Sequence, residues 1–400
     1  HGRVFTEIDA IVAKIDSKNI VEDITLPTES EYVSRAILYW SSDKKNIISN
    51  LGKVNRPATA DEIVTMTLSV EIDSEIKKKD YKFTVLMTGE DGELKVIFYN
   101  YLNEEITSYI IEAGEKAYIP DSINTDIERF DFQGWYNSED REDAFDFNKA
   151  ITSTAKIYGS WFLDYSTYYN GYYKNQNLEG LINNELKNQL NVRLNSGYTK
   201  VSYGDARYVL EKSDVDLTNK DKLWGIYNSL LLSNVWNGDT MNREHVWPCA
   251  RLGTSRPNNS TKAISSDLHN LRIIQPSINS KRSDLYFVDS KGDARIISEG
   301  ASFYPGDEHK GDVARILFYM ATMYSSLTLV NEKDIPNKQA YTPENAYMGD
   351  LAALLKWHVE DPVDEFEIQR NNVLFQHQKN RNPYIDYPEL VDMIWKYYVA

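Results

Sequence analysis

Residues 242–248 read Asn242-Arg243-Glu244-His245-Val246-Trp247-Pro248, an amide, a guanidinium, a carboxylate and an imidazole in one short word. Two more words follow it, Ser266-Asp267-Leu268-His269-Asn270-Leu271-Arg272 and Pro276-Ser277-Ile278-Asn279-Ser280-Lys281-Arg282-Ser283. Cleavage of a phosphodiester needs a base for water, positive charge against the crowded phosphorus, and something to stabilise the leaving oxygen. These words hold all three kinds of group. Glu244 offers a hard carboxylate oxygen and Asn279 an amide oxygen, a pair that suits Mg²⁺, which takes few protein oxygens and keeps several waters. Mn²⁺ and Ca²⁺ are the substitutes. His245 is then left unligated, and neutral imidazole, with a pKa of about 6.5, is the natural base near neutral pH. Neighbouring side chains on a regular strand face opposite ways. Glu244 and His245 therefore meet one phosphate only where a strand ends or bends, and Pro248, which cannot donate to a ladder, supports an ending.

The rest of the 400-residue chain bounds this reading. Its length predicts two or three domains, and 42% hydrophobic with 26% charged residues is a soluble, globular composition. A run of about 18 apolar residues, the mark of a spanning helix, does not occur. The start, His1-Gly2 without an initiator Met, reads as a trimmed leader or tag. Cys249 is the single cysteine, so an intrachain disulfide and a multi-cysteine zinc site are excluded. Six histidines are scattered without a His-Glu-x-x-His word, which argues against a zinc hydrolase. A net charge of −16 opposes a nucleic-acid partner, but residues 1–162 carry −12 of it and 163–400 only −4. Within 241–282, seven basic residues face two acidic ones, Glu244 and Asp267, a basic stripe.

Ahead of the stripe, Phe5, Ile8, Ile11, Val12 and Ile15 are spaced for a helix. Val64, Met66, Leu68, Val70 and Ile72, and then Tyr81, Phe83, Val85 and Met87, alternate as half-buried strands do. Gly89-Glu90-Asp91-Gly92 reads as a turn or linker. Trp135, Phe145 and Phe147 read as core aromatics. After Leu178 the pattern turns helical, with amphipathic stretches at 312–325 (capped by Asp312), 350–360, 364–378 and 388–398. Asn380-Arg381-Asn382-Pro383 reads as a turn that docks the last helix. The Tyr-rich 165–173 suits either base stacking or a domain-docking surface with Tyr at an interface.

In order and spacing, the words "NREHVWP", "DLHNLR" and "PSINSKRS" resemble the endonuclease I family, metal-dependent nucleases of the His-Me finger or ββα-metal kind. Val201-Ser202-Tyr203-Gly204-Asp205, Lys310-Gly311-Asp312 and Asn380-Arg381-Asn382-Pro383 extend the resemblance over about 168–398. It implies an α+β nuclease domain with a ββα-metal core, in which Glu244 and Asn279 hold one ion and His245 is the base. Arg256 or, as the second choice, Arg251 would steady the cleaved phosphate. Arg243, Arg272, Lys281 and Arg282 would contact substrate phosphates, the last two from near the start of the helix. His269 stands between a functional role and a buried structural one, and Cys249, where relatives often have lysine, reads as a bystander.

The words "WSSD" and "GKVNRP" within 5–88 are similar to the atrophied immunoglobulin-like domains of bacterial surface proteins, which implies a β-sandwich. The series "GEKA", "FQGWY" and "AFDF" within 94–162 is similar to the internalin-type B-repeat, a small β-grasp-like module. The expected organisation is therefore 1–90, 91–162 and 163–400. The implied protein is a secreted or surface-attached bacterial enzyme cutting DNA, RNA or both to 5′-phosphate products. Its rival is a non-catalytic nucleic-acid-binding adhesin.

Overall fold

The computed structural model describes residues 1–58, 60–88, 93–174, 176–297, 301–335 and 346–399. The Gly89–Gly92 turn lies outside them. The chain divides into two units, His1–Asp164 and Tyr165–Ala400. The front modules expected at 1–90 and 91–162 both lie in the first of these.

In the first unit, helix α1 (Gly2–Val12) buries Val4, Ile8 and Val12 at four-residue steps. Strands β1 (Ile37–Ser42), β2 (Glu62–Ile72) and β3 (Glu75–Val85) form one antiparallel sheet in that order. β2 alternates as the sequence predicts, with Val64, Met66, Leu68 and Val70 fully buried. Asp73 and Ser74, both at positive φ (52° and 67°), make the two-residue turn into β3. A sandwich of two sheets was expected here, and this is a correction: among the described residues the module has a single three-stranded sheet. Its inner face is covered by α1 and by Ile20, Ile24, Leu26, Ile47 and Ile48, so the apolar surface a second sheet would cover is already buried.

The second module is a mixed sheet of β4 (Glu93–Tyr99), β5 (Glu105–Glu112), β6 (Phe130–Tyr136) and β7 (Ala155–Leu163), ordered β5-β4-β7-β6 with β4 and β7 parallel. Phe98, Trp135 and Trp161 are buried in it, with Phe145 and Phe147 half-buried at its edge. Gly159 allows this packing, since a Cβ there would lie 2.2 Å from the Trp161 ring and 2.7 Å from that of Trp135. Lys45 of the first module pairs with Glu142 of the second at 2.6 Å.

The second unit contains α2 (Asn183–Asn195), α3 (Tyr203–Ser213), β8 (Lys222–Trp224), β9 (Leu231–Ser233), β10 (Asn242–His245), β11 (Leu271–Ile274) and α4 (Pro276–Arg282). After these come β12 (Tyr286–Phe287), β13 (Arg295–Ile297), β14 (Ser302–Tyr304), α5 (Lys310–Met323), β15 (Thr328–Leu329) and β16 (Tyr347–Met348). Helices α6 (Leu351–Glu360), α7 (Glu365–Gln378), α8 (Pro383–Asp386) and α9 (Leu390–Trp395) close the chain. Helix α5 was expected to be amphipathic and capped by Asp312. Instead all of its residues are buried, His309 is its N-cap, and Asp312 faces inward to pair with Arg272 at 2.8 Å. It packs against α2, α6 and α8. Gly311 makes one of these approaches feasible, because a Cβ there would sit 2.0 Å from the Asp361 carbonyl oxygen.

The turn at 380–383 is structural, as read from the sequence. Asn382 caps α8 by accepting from Tyr384 N, and Arg381 grips Asp386 through Nε (2.6 Å) and Nη2 (2.7 Å). Tyr165, Tyr172 and Tyr173 are buried and Tyr169 hydrogen-bonds the Asp386 carbonyl, so these rings pack within the second unit. Among the described residues no helix is long and apolar enough to cross a membrane.

Candidate active site

β10 and β11 pair antiparallel, Asn242 opposite Ile274 and His245 opposite Leu271, and Gln275 leads straight into α4 with Pro276 at its first position. β10 stops at His245, so Glu244 and His245 stand at a strand end. One cleft of about 360 Å³ is lined by Arg243, Glu244, His245, Arg256 and Asn279, together with Tyr203 and Cys249. The cleft thus brings Asn279, 34 residues further along the chain, to the adjacent Glu244 and His245.

The imidazole is fixed from two sides. Its Nε2 lies 2.8 Å from the Ser265 carbonyl oxygen, which only accepts, so Nε2 carries the hydrogen and Nδ1 keeps the lone pair. The Tyr203 ring stacks on it at 5.4 Å and 23°. Burial, aided by the charges of Arg243 and Arg282, pushes its pKa down to about 4, and the ring is neutral at pH 7. Burial pushes the Glu244 carboxyl the other way, to about 7, against the pull of Arg282 and the Tyr227 hydroxyl. Both partners engage Oε1, Tyr227 donating at 2.9 Å and Arg282 Nε lying at 3.3 Å. Neither Glu244 Oε2 nor the Asn279 side-chain amide has a hydrogen-bond partner among the described residues. Two unengaged oxygen donors on one cleft fit a hard cation that keeps most of its waters. Among the described residues no group of three or more His, Cys, Asp or Glu could hold a metal.

The arginines divide. Arg256 is exposed on the cleft wall, whereas Arg251 is buried and donates through Nε to the Asp284 carbonyl at 2.6 Å. Arg243 lies over the Tyr203 ring at 3.6 Å, half-buried at the rim. Arg272 corrects the expectation of a phosphate contact. It is fully buried, with Nε on Asp214 at 3.1 Å and Nη1 on Asp312 at 2.8 Å, and water-borne phosphate cannot reach it. Arg282 is a second correction. It closes the last turn of α4, is fully buried, and serves Glu244 and the Val246 carbonyl (2.7 Å). Lys281, beside it, is exposed. The basic stripe is therefore partly internal. His269 is buried, its Nε2 3.3 Å from the Asn380 carbonyl and its pKa pushed down to about 3 by burial, and it is absent from the cleft lining. Cys249 lines the cleft with its thiol pKa raised by burial.

Three features escaped the sequence reading. Tyr203 lay in a quoted word without a role, Ser265 acts through its backbone, and Tyr227, 17 residues before Glu244, carries no local signal. Gly204 belongs with the first, since its amide donates to Asn259 O at 2.8 Å, where a Cβ would lie equally close.

The sequence model for Endonuclease I matches residues 182–389, more than half of the chain. The chain belongs to the endonuclease I family. It is therefore a nuclease, a phosphodiester hydrolase, and the adhesin reading falls. The model for the atrophied bacterial Ig domain matches residues 7–88. Among curated proteins, this endonuclease I member is 36% identical over 253 residues to the extracellular ribonuclease of Bacillus amyloliquefaciens, covering 61% of the present chain and 82% of that one. It is 35% identical over 245 residues to the extracellular ribonuclease of Bacillus subtilis (strain 168), covering 58% and 80%. Endonuclease-1 of Buchnera aphidicola subsp. Baizongia pistaciae (strain Bp) is 25% identical over 174 residues, covering 37% and 64%.

Proposed function

We propose that the chain is an exported, divalent-cation-dependent endonuclease without sequence specificity, cutting DNA and RNA to 5′-phosphate oligonucleotides. The observation that carries this is the shared cleft of Glu244, His245 and Asn279, with the His245 Nε2 hydrogen committed to the Ser265 carbonyl. β10, β11 and α4 are read as a ββα-metal core, with Glu244 Oε2 and the Asn279 amide oxygen as the residues that would hold Mg²⁺. When bound, the cation neutralises charge developing on the phosphate and on the departing 3′ oxygen.

The protein's own groups do the rest. His245 Nδ1, whose lone pair is left open because Nε2 donates to the Ser265 carbonyl, takes the proton from the attacking water. The Arg256 guanidinium faces the phosphate and stabilises its added charge. Arg243 and Lys281 contact flanking phosphates, which position the strand without reading bases. Ribonuclease activity is named for both Bacillus relatives, and their extracellular naming together with the Ig-like module supports export. The front unit is read as an Ig-like module at 1–90 and a B-repeat-like, β-grasp-like module at 91–162, attaching an enzyme at 163–400 to the cell surface.

The test is nicking of supercoiled plasmid and cleavage of an RNA homopolymer with Mg²⁺, with EDTA, and with His245→Ala. Loss of cutting in EDTA and in the variant is expected. Undiminished cutting in EDTA would sink the cation-dependent reading.

A further inference from the structure

We infer that Tyr227 is a positioning residue for the cation-binding carboxylate, pinning Glu244 by Oε1 so that Oε2 is the oxygen presented to the cleft. The inference rests on the assignment of Glu244 as a cation ligand. Tyr227 lies outside every catalytic word and does not itself reach the reacting atoms in this reading; its hydroxyl donates to Glu244 Oε1 at 2.9 Å.

The backbone around it is built for that one contact. Tyr227 has φ at 75°, in the left-handed region that bulky side chains rarely adopt and that persists only where the surroundings over-determine it. Here they do. The preceding amide, Ile226 N, donates to Ile273 O at 3.0 Å, which ties the loop to β11, and Gly225 N donates to Leu230 O at 2.9 Å, which closes the loop on itself. The ring meets Phe303 edge-on at 5.1 Å and is almost wholly buried. A strained backbone thus delivers one hydroxyl to one carboxylate oxygen.

Arg282 approaches the same oxygen from α4, with Nε at 3.3 Å and Nη2 held by Val246 O at 2.7 Å. The Tyr227 hydroxyl donating to Oε1, with the Arg282 charge beside the same oxygen, makes the two carboxylate oxygens inequivalent. Groups that orient a metal ligand in this way typically alter ion affinity about 10- to 100-fold.

The experiment is titration calorimetry of the full chain with Mn²⁺, using wild type, Tyr227→Phe, Glu244→Gln, the double variant and Phe303→Leu, each with a thermal melt. Phenylalanine keeps the ring and removes only the hydroxyl. Tyr227→Phe is expected to bind Mn²⁺ about 10- to 100-fold more weakly with its melting transition retained, and to cost nothing further in the Glu244→Gln background, because it acts through that carboxylate. Phe303→Leu, which loosens the same ring without touching the hydroxyl, is expected to lower the melting temperature and leave Mn²⁺ affinity near wild type. Equal affinity in Tyr227→Phe and wild type, or an equal loss in Phe303→Leu, would overturn the inference. If wild type and Glu244→Gln bind Mn²⁺ alike, the assignment of Glu244 fails first and the inference falls with it, a recognisably different result.

Discussion

His245 has one nitrogen held and one left open, and that asymmetry sets the expectation for its removal. His245→Ala deletes the proposed base but leaves Glu244 and Asn279 in place, so turnover should fall about 10²- to 10⁴-fold while Mn²⁺ affinity changes little. A fluorogenic oligonucleotide assay beside calorimetry reads both. Loss of ion binding in this variant would count imidazole among the ligands and end its role as the base. Arg256 makes a sharper case, since only its position distinguishes it from Arg251. Arg256→Ala should lower kcat by about 10²-fold or more. Arg251→Ala should instead lower stability, because its guanidinium holds the Asp284 carbonyl. A kcat loss confined to Arg251→Ala would reverse the assignment.

At the scale of elements, the sequence was most legible where chemistry and contiguity coincide. Glu244 and His245 are adjacent, and β11 runs into α4 with one residue between them, so three short words spelled out the strand pair, the helix and the donors they carry. The arginines were illegible for a physical reason. Charge type is local, but burial is decided by partners far along the chain: Arg272 is neutralised by Asp214, 58 residues before it, and by Asp312, 40 residues after it. Nothing in "DLHNLR" reveals either. The same distance hid what covers the β1-β2-β3 sheet, because strand alternation reports a buried face without saying whether a sheet or a helix covers it. A buried network gives its own prediction. Arg272→Ala leaves Asp214 with Arg370 at 3.0 Å but takes the nearest cation from buried Asp312, which keeps only Arg315 at 4.0 Å, and should cost about 3–5 kcal/mol in urea unfolding. Lys281→Ala, on an exposed side chain, should leave stability unchanged and reduce the salt slope of nucleic-acid binding by about one. A folded Arg272→Ala protein with normal stability and weakened binding would restore the phosphate role withdrawn above.

Across the whole molecule, acidity and catalysis lie in different units. Residues 1–162 hold −12 of the −16 charges, and Tyr165–Ala400 has its own core around the fully buried α5, together with the whole of the cleft lining. A fragment beginning at Tyr165 should therefore fold, and its turnover at saturating substrate should match that of the full chain. Repulsion of a polyanion by the acidic unit should appear only in affinity, and only at low ionic strength, since exposed charges are screened beyond about 10 Å at 0.1 M salt. The fragment is thus expected to bind single- and double-stranded DNA more tightly than the full chain at about 20 mM salt and equally at about 300 mM, read by fluorescence anisotropy. Stability follows pH by the same internal logic. His269 has a folded pKa of about 3 against roughly 6.5 when unfolded, so its contribution is fully present above pH 6.5 and is lost as pH falls towards 3. His269→Gln lacks that proton uptake. Its unfolding free energy should lose up to about 1.4 kcal/mol less per pH unit across that window than wild type does. Parallel pH profiles for the two proteins would mean that the buried ring is already protonated in the native state, against the geometry that leaves its Nδ1 without a partner among the described residues.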